Sequence, residues 1–284
     1  MICYKIIMEF TDEKLDINYL KENNLLKYFS NEELKTIEKK YKYTDVFFGN
    51  NSFYREKNID KDFIPYPIDV NDLINLHKTI LKRKVFTVME FGLGYSTIIM
   101  ADALLKHKKE YNKLKEKPHV RVNDMFKIFS IDANDFWIKR FNSNIEKFPE
   151  LKDIINVVYS DIHINTFNGR ICHFYDNLPT INPQLIYIDG PDTKNVKGNV
   201  NGFTFNNPDI TVISGDPLLI EPILIPGTII IFDGRKNNSY FLKNNFQRNW
   251  KYTRYNDLDV ETYELLDETL GEYNTNMLNY CNIK

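Results

Sequence analysis

The stretch Val85–Thr97, VFTVMEFGLGYST, decides the fold of this 284-residue chain. It opens with a short apolar run of the kind that forms a buried β-strand. Gly92 and Gly94 follow, and glycines permit the backbone angles of a sharp turn and the close approach of a ligand. The residues from Thr97 onward, TIIMADALLKHKKEY, have the character of a helix. A strand that turns through glycines into a helix predicts one unit of a parallel α/β sheet.

The same alternation continues towards the C-terminus. Short apolar runs recur, each with an Asp at its end, and helical or irregular stretches separate them: FKIFSID, IINVVYSD, QLIYIDG and TIIIFDG. WKYTRYN and VETYELLD then predict a closing antiparallel hairpin. We therefore expect a doubly wound α/β fold whose seven-stranded sheet is mostly parallel and carries this antiparallel hairpin at its C-terminal end.

The first part of the chain differs in character, being charged and aromatic, with helical periodicity in LDINYLKENNLLKYF and NEELKTIEKKYKY. Ser30, followed three residues later by Glu33, predicts a capping box at the start of the second helix. Pro65 and Pro67 stiffen the junction that follows. We expect an N-terminal helical cap over residues 1–68 and a larger domain over residues 69–284.

Composition excludes several classes of protein. Lys and Arg number 37 against 39 Asp and Glu, a net charge of −2, which does not favour a general grip on nucleic acid. No run approaches the roughly 20 apolar residues of a membrane helix, and the N-terminus lacks a signal-peptide pattern. Cys3, Cys172 and Cys281 are too far apart for a disulfide framework or a zinc ribbon. These features favour a soluble cytoplasmic protein.

Two stretches interrupt the strand and helix pattern. Lys106–Arg121 is a basic insertion between the first helix and the second strand; a charge run is usually a solvated face, although this one could contact an anionic partner. Pro191–Asp216 is a long polar loop that leaves the edge of the sheet where ligands of α/β folds bind. Long loops in compact domains are usually functional or disordered.

The glycine turn favours a cationic ligand. Its spacing is E-x-G-x-G-x-S over Glu90–Ser96, without the third glycine of a dinucleotide site. The acid Glu90 would repel a pyrophosphate, but it suits the sulfonium and ammonium of S-adenosylmethionine. The turn resembles motif I of the class I S-adenosylmethionine-dependent methyltransferases, acid-x-G-x-G, through Glu90, Gly92 and Gly94; Ser96 stands where a small or polar residue is common.

The resemblance covers about Val85 to about Asp267 and implies further contacts with S-adenosylmethionine. Asp132, at the end of the second strand, matches the acid that accepts hydrogen bonds from the ribose hydroxyls. It lies further from the glycines than the roughly 20 residues usual in nucleotide-binding units. Asp161, after the third strand, stands where the adenine amino group is commonly contacted. Both acids are also common turn and N-cap residues.

Asp189 and Asp233 end the fourth and fifth strands, which are neighbours in the methyltransferase order and about 4.8 Å apart. Like charges this close need a cation, a shared proton or an intervening donor. The pair resembles the Mg²⁺ site of catechol-type O-methyltransferases. Gly234 replaces the third ligand of that site, and Asp192 could substitute. Alternatively, Arg235 supplies the positive charge, either by forming an ion pair with Asp233 or by binding an anionic substrate. A third interpretation is that each Asp-Gly pair only forms a turn at the end of its strand.

The resemblance implies an enzyme that methylates oxygen on a small molecule or a sugar. Asp189 is the first candidate for the general base and His163 the second. The segment Asp189–Asp192, DGPD, lacks the aromatic clamp of nucleic-acid amino-methylating relatives. The chain is also similar to methyltransferase-like proteins of bacterial glycan clusters, which suggests a glycan acceptor. The alternatives are a nicotinamide-dependent oxidoreductase and a non-catalytic cofactor-binding module; the oligomeric state is not predicted.

Overall fold

A central sheet forms the body of the protein in a computed structural model that describes residues 17–30, 33–35, 69–207 and 209–281. The strands in these residues are numbered in chain order. They are β1 (Thr87–Phe91), β2 (Lys127–Asp132), β3 (Ile155–Tyr159), β4 (Ile162–Phe167), β5 (Arg170–Tyr175), β6 (Leu185–Ile188), β7 (Val196–Lys197), β8 (Ile229–Asp233), β9 (Trp250–Tyr255) and β10 (Val260–Leu265).

Seven of these strands form the central sheet in the order β3-β2-β1-β6-β8-β10-β9. Strand β10 is antiparallel to both of its neighbours, and the other pairs are parallel. This confirms the expected doubly wound fold with an antiparallel C-terminal hairpin. The sheet grows outward from β1 in both directions, so the strand order switches between β1 and β6. Ligands of open α/β sheets bind at the carboxyl ends of the strands beside such a switch point.

The helices of the described residues are α1 (Ile17–Glu22), α2 (Val70–Arg83), α3 (Tyr95–Asn112), α4 (Asp135–Ile145), α5 (Asp216–Ile220), α6 (Lys236–Lys243) and α7 (Glu272–Tyr280). None of these described helices is long and apolar enough to cross a membrane. The predicted insertion Lys106–Arg121 is wrong in its first half, because those residues form the last two turns of α3. Helix α7 was not predicted.

Two apolar clusters cover the two faces of the sheet, since alternate residues of a strand point to opposite sides. Val88 and Ile231 belong to the cluster that includes buried residues of α2 and α3. Met89 and Ile230 belong to the other cluster, together with Leu242 of α6. The strands β1, β6 and β8 are buried on both sides, as expected of a parallel sheet under two layers.

A small second sheet, in the order β5-β4-β7, was not predicted. We call these three strands the roof. Strands β4 and β5 form a hairpin through Asn168 and Gly169, whose φ angles of 49° and 73° are those of the favoured two-residue turn. The hairpin occupies the connection from β3 to β6, which contains no helix. It packs over the second apolar cluster, where the Tyr175 ring lies 5.3 Å from that of Phe91.

The described part of the N-terminal segment packs against α2 and α3. The predicted first helix is shorter than expected: α1 ends at Glu22, and Asn24 has a φ of 56° that a continuing helix cannot accommodate. The predicted capping box is confirmed, because the Ser30 backbone N–H donates to Glu33 at 2.8 Å and the Glu33 N–H donates to Ser30 Oγ at 3.2 Å. Most of residues 1–68 lie outside the described residues, so the two-domain division stays a prediction.

A buried carboxylate fastens this segment to the body of the protein. Asp102 of α3 accepts hydrogen bonds from Tyr28 Oη at 2.7 Å, His77 Nε2 at 3.1 Å and Lys106 Nζ at 2.8 Å. Burial alone would raise the pKa of Asp102, but these donors outweigh it and hold the pKa at about 2. Charge-assisted hydrogen bonds of this kind are the strong ones, so α2, α3 and the N-terminal segment are held as one packed layer.

Candidate active site

The loop between β1 and α3 is shaped by its two glycines. Gly92 has a φ of +121°, which L side chains rarely adopt, and its N–H donates to the Ile131 carbonyl at 2.9 Å. A Cβ placed on Gly94 would meet no atom within 4 Å, so open space lies above that residue. Helix α3 begins next to it at Tyr95, and the first turn of a helix presents unpaired N–H groups. The loop therefore offers a bare backbone surface to a ligand.

Glu90 supports this loop from beneath. Its side chain is completely buried, and its carboxylate accepts hydrogen bonds from Ser96 Oγ at 2.5 Å, Thr97 Oγ1 at 2.6 Å and Ser130 Oγ at 2.5 Å. Burial raises the pKa of Glu90 to about 7, and the three hydroxyls oppose that rise. Glu90 and Ser96 thus point into the protein and hold the loop in shape, a role that motif spacing alone did not reveal.

Asp132 lies beside the loop, because its neighbour Ile131 receives the Gly92 hydrogen bond. It is the last residue of β2 and is partly exposed at the carboxyl edge of the sheet. One carboxylate oxygen accepts the Asn134 N–H at 2.7 Å. Burial raises the pKa of Asp132 to about 6, although backbone N–H groups favour the charged form. The carboxylate is placed to accept hydrogen bonds from a ligand that crosses the glycine loop.

Asp189 stands on the other side of the loop, at the end of β6. Its N–H and that of Gly190 both donate to the Phe91 carbonyl, at 3.1 and 2.6 Å, which ties the ends of β1 and β6 together. The Asp189 side chain reaches solvent, yet protein atoms crowd around it. This burial raises its pKa, and the positive charge of Arg235 opposes the rise. An acid with a raised pKa at the carboxyl edge of such a sheet is a candidate for an active site.

The Asp233 carboxyl group forms a hydrogen-bonded pair with a second carboxyl group. Its carboxyl group is hydrogen-bonded to that of Asp72 from α2, and Tyr187 Oη donates to Asp233 at 3.4 Å. Burial and mutual repulsion raise the pKa values of both carboxyl groups, so the pair shares a proton at neutral pH. A shared proton is one of the ways in which close carboxylates coexist.

Arg235 does not bridge Asp233 in the described part of the chain, which corrects one sequence-based alternative. Its guanidinium donates to the carbonyl of Asp189 and, at 3.3 Å, to the carbonyl of Pro191. It therefore holds the backbone that follows β6 and places a positive charge beside the Asp189 carboxylate. Sequence spacing placed Arg235 at the correct edge but could not show that it binds backbone carbonyls.

The donor set does not fit a catechol-type magnesium site. Asp233 is paired with Asp72, and Asp192 caps its own turn by accepting from Thr193 Oγ1 at 3.2 Å and the Lys194 N–H at 3.1 Å. Within residues 17–30, 33–35, 69–207 and 209–281, no three His, Cys, Asp or Glu side chains are grouped to hold a metal ion. We derive no role for Mg²⁺ at Asp189 and Asp233.

Two further candidates make their contacts around the roof. His163 lies on β4, is 47% exposed and bonds Asp176 through Nδ1 at 2.9 Å. Asp161 accepts from Tyr159 Oη and Lys197 Nζ, both at 2.7 Å, which lowers its pKa. No described contact joins either residue to Asp189, so the structure gives no support to His163 as a base. Asp161 as an adenine contact stays a prediction.

Two polar residues of the roof were missed by the sequence-based reasoning. Tyr175 and His173 point to the same side of β5, and burial raises the pKa of the Tyr175 phenol well above its usual value. His173 is completely buried, and neither ring nitrogen has a hydrogen-bond partner among the described residues. The Asn-Gly pair at Asn168 was the available signal, because it predicts a hairpin and hence a shared face.

A cavity of about 160 Å³ lies beside the glycine loop. Gly94 and Tyr95 form one wall, Phe29 of the N-terminal segment forms another, and α4 closes it with Phe141 and Asn144. The Phe29 ring stacks on Tyr95 at 5.3 Å, and Tyr95 Oη donates to both Glu33 oxygens, at 3.0 and 2.8 Å. The first residue of α3 is therefore shared between the loop and the N-terminal segment.

No protein-family model and no curated protein matches this chain. Solved structures do resemble it. The O-methyltransferase of tomaymycin synthesis from Streptomyces achromogenes, solved with S-adenosylmethionine, is 14% identical with a TM-score of 0.40, covering 71% of this chain and 82% of that one. A Podospora anserina methyltransferase is 11% identical, with a TM-score of 0.44 and coverages of 90% and 100%. A Bacillus cereus O-methyltransferase is 16% identical, with a TM-score of 0.40 and coverages of 71% and 83%. Likenesses this distant carry no argument about activity, which has to come from the site.

Proposed function

We propose that this protein is an S-adenosylmethionine-dependent methyltransferase that acts on a hydroxyl group. The observation that carries the proposal is the glycine loop at the switch point, with open space above Gly94 and the carboxylates of Asp132 and Asp189 on its two sides. A cationic, ribose-bearing cofactor suits such a site. The pyrophosphate of a nicotinamide cofactor would meet these acids without a third glycine to receive it.

Asp132, the glycine loop, the N-terminus of α3 and Glu90 would each contribute to cofactor binding. Asp132 would accept hydrogen bonds from the ribose hydroxyls, and the bare loop at Gly92 and Gly94 would lie against the methionine part. The N-terminus of α3 favours the negative carboxylate of that part. Glu90 would act indirectly, by keeping the loop in shape. Bound there, S-adenosylmethionine supplies an electrophilic methyl group.

Asp189 is our proposed general base at the acceptor side. As the hydroxyl oxygen of the acceptor attacks, the carboxylate would take up its proton; general bases of this kind contribute roughly 10²–10⁴-fold in rate. Burial raises the pKa of Asp189, which makes it a stronger base, and the positive charge of Arg235 opposes the rise. Correct placement of the two reactants would provide most of the acceleration.

The acceptor we propose is a small molecule or a sugar hydroxyl. Support comes from the resemblance of the YIDGPD segment and the downstream motifs to methyltransferase-like proteins of glycan clusters. We expect the roof and the segment Pro191–Asp216 to limit the acceptor's size, because this segment follows Asp189 and pairs with β4 through β7. The absence of an aromatic residue next to Asp189 in DGPD disfavours a flipped base.

Calorimetric titration with S-adenosylhomocysteine and with NADH tests the cofactor directly. We expect saturable binding of S-adenosylhomocysteine and none of NADH, and the reverse result would refute the proposal. Asp189→Ala should still bind S-adenosylhomocysteine, because that residue lies on the acceptor side. With an identified acceptor, the same variant should lose methyl transfer; full turnover would indicate that Asp189 is not the base.

Alanine at Gly190 and alanine at Gly94 should have different effects on stability and on cofactor binding. A Cβ on Gly190 would lie 3.0 Å from Gly92 N and Cα and from the Phe91 carbonyl, all of them backbone atoms. Gly190→Ala should therefore lower the free energy of unfolding by about 1–3 kcal/mol, as overpacking does. Gly94→Ala meets no protein atom, so stability should hardly change, while affinity for S-adenosylhomocysteine falls. Urea unfolding and calorimetry on both variants check this; equal stability losses would contradict it.

A further inference from the structure

The inner face of the roof carries polar groups that the protein itself leaves without partners. His173 is completely buried with both ring nitrogens unpaired. Tyr175, two residues on along β5, is 5% exposed, and its hydroxyl has no hydrogen-bond partner in the described residues. Unpaired buried polar groups are costly and rare in native proteins. The His173 nitrogens are fully buried as well as unpaired, and the Tyr175 hydroxyl on the same face of β5 is unpaired within the described part of the chain, so this face can meet a ligand.

Tyr175 stands between the two halves of the proposed site. Its ring lies 5.3 Å from that of Phe91, the last residue of β1, from which the glycine loop departs. The charges of Asp132, Asp189 and Arg235 all act on its phenol. Strand β1 lies between β2, which ends in Asp132, and β6, which Asp189 follows, so Phe91 and the Tyr175 ring packed on it lie between the two acids.

The covalent structure of the cofactor then decides what Tyr175 meets. In S-adenosylmethionine the sulfur is attached to the ribose through one carbon, and the transferable methyl group is attached to that sulfur. With the ribose hydroxyls on Asp132 and the methyl group directed towards Asp189, the sulfur must lie between these two acids. The Tyr175 ring packs on Phe91, at the end of the strand that lies between these two acids.

We propose that Tyr175 is a further cofactor-binding residue, whose hydroxyl oxygen contacts the positively charged sulfonium region and fixes the direction of the methyl group. This inference rests on the proposed function. The phenol remains neutral, because burial and the nearby acids raise its pKa. Its oxygen therefore offers lone pairs to a cation and to the polarised C–H groups around it. A lysine or arginine at this position would repel the same cofactor.

Tyr175→Phe tests the proposal, because it removes only an oxygen that has no partner in the described protein. We expect the dissociation constant for S-adenosylmethionine to rise about tenfold, because the variant removes the oxygen that faces the positive charge and its polarised C–H groups. S-adenosylhomocysteine has a neutral sulfur, so its dissociation constant should rise less than about threefold. Sinefungin carries a positive amine in place of the methyl sulfonium and should be weakened like S-adenosylmethionine.

Tyr263→Phe is the matched control. Tyr263 is also buried, but its hydroxyl bonds Ser239 on α6, away from the loop. That variant should bind all three compounds as the wild type does. Equal losses for the charged and neutral compounds in Tyr175→Phe, or no loss at all, would overturn the assignment of Tyr175. If the wild type binds none of the three, the proposed function fails instead, so the two failures are distinguishable.

Discussion

Asp132→Ala should reduce the affinity for S-adenosylhomocysteine by at least about 100-fold, because hydrogen bonds to a charged group contribute about 1.5–3 kcal/mol each and the ribose offers two. The carboxylate is partly exposed and accepts hydrogen bonds from the backbone N–H groups of Asn134 and Ala133, so its remaining lone pairs are available to a ligand. Calorimetry on the purified variant measures the effect. Asp132→Asn should show an intermediate loss, since an amide accepts through one oxygen only.

Asp135→Ala is the control for this variant. Asp135 is an exposed acid in the first turn of α4, three residues away, and removing it changes the local charge equally. Its affinity for S-adenosylhomocysteine should stay within about twofold of the wild type, because exposed charges interact weakly. Similar losses of affinity in the two variants would mean that Asp132 acts through its long-range electrostatic field and not through a direct contact with the ligand.

The same carboxyl predicts how binding depends on pH. Burial raises the pKa of Asp132 to about 6 in the free protein. The ribose hydroxyls bond the ionised form, so binding releases the proton when the free carboxyl carries one. Affinity should therefore be constant above about pH 7 and should fall about tenfold per pH unit below the pKa. Asp132→Asn should flatten the profile, and an unchanged profile in that variant would contradict the assignment.

Glu90→Ala should lower the free energy of unfolding by roughly 3–5 kcal/mol. It leaves the hydroxyls of Ser96, Thr97 and Ser130 without their acceptor in a fully buried position. It also creates a cavity under the glycine loop. Urea denaturation measures the loss, and S-adenosylhomocysteine binding should weaken as well, because the loop loses its support. A loss below about 1 kcal/mol would show that the three hydroxyls find other partners.

Two companion variants separate the causes of that loss. Glu146→Ala removes an exposed carboxylate, whose side chain is 67% accessible, and should change stability by less than about 0.5 kcal/mol. Glu90→Gln keeps the volume and one acceptor. Because burial raises the pKa of Glu90 to about 7 from 4.5 in the unfolded chain, the folded state holds the proton more tightly. The contribution of Glu90 to the free energy of unfolding therefore falls as pH rises from about 4.5 to about 7. This pH dependence should be absent in Glu90→Gln.

The central sheet and the position of the glycine loop follow from local patterns that tertiary packing does not override. Short apolar runs with terminal acids located the ends of four strands, β2, β3, β6 and β8, at the correct edge, and the glycines located the loop. The roof was missed because β4 and β5 mix Asn, Thr, His and Cys into their alternation, which hides the period of two. Helix α7 was missed because its residues are mostly polar, and packing of Met277 and Leu278 stabilises it.

The directions of the side chains at the site could not be predicted from the sequence. Motif spacing places Glu90, Asp233 and Arg235 at the ends of strands, but it does not choose between a ligand and a neighbouring protein group. In the structure, Glu90 turns inward to hydroxyls and Asp233 turns to Asp72. Arg235 turns to backbone carbonyls. Each choice depends on residues far away in sequence, whose positions only the folded chain defines.

The stacking of Phe29 on Tyr95 and the bonds from Tyr95 to Glu33 have a thermodynamic consequence. Tyr95 is the first residue of α3, directly after Gly94, so the N-terminal segment and the bound cofactor would share one structural element. Any ligand that stiffens the loop then favours docking of the segment, and by linkage the docked segment favours the ligand to the same extent. A partner that displaced residues 17–30 and 33–35 would therefore weaken cofactor binding.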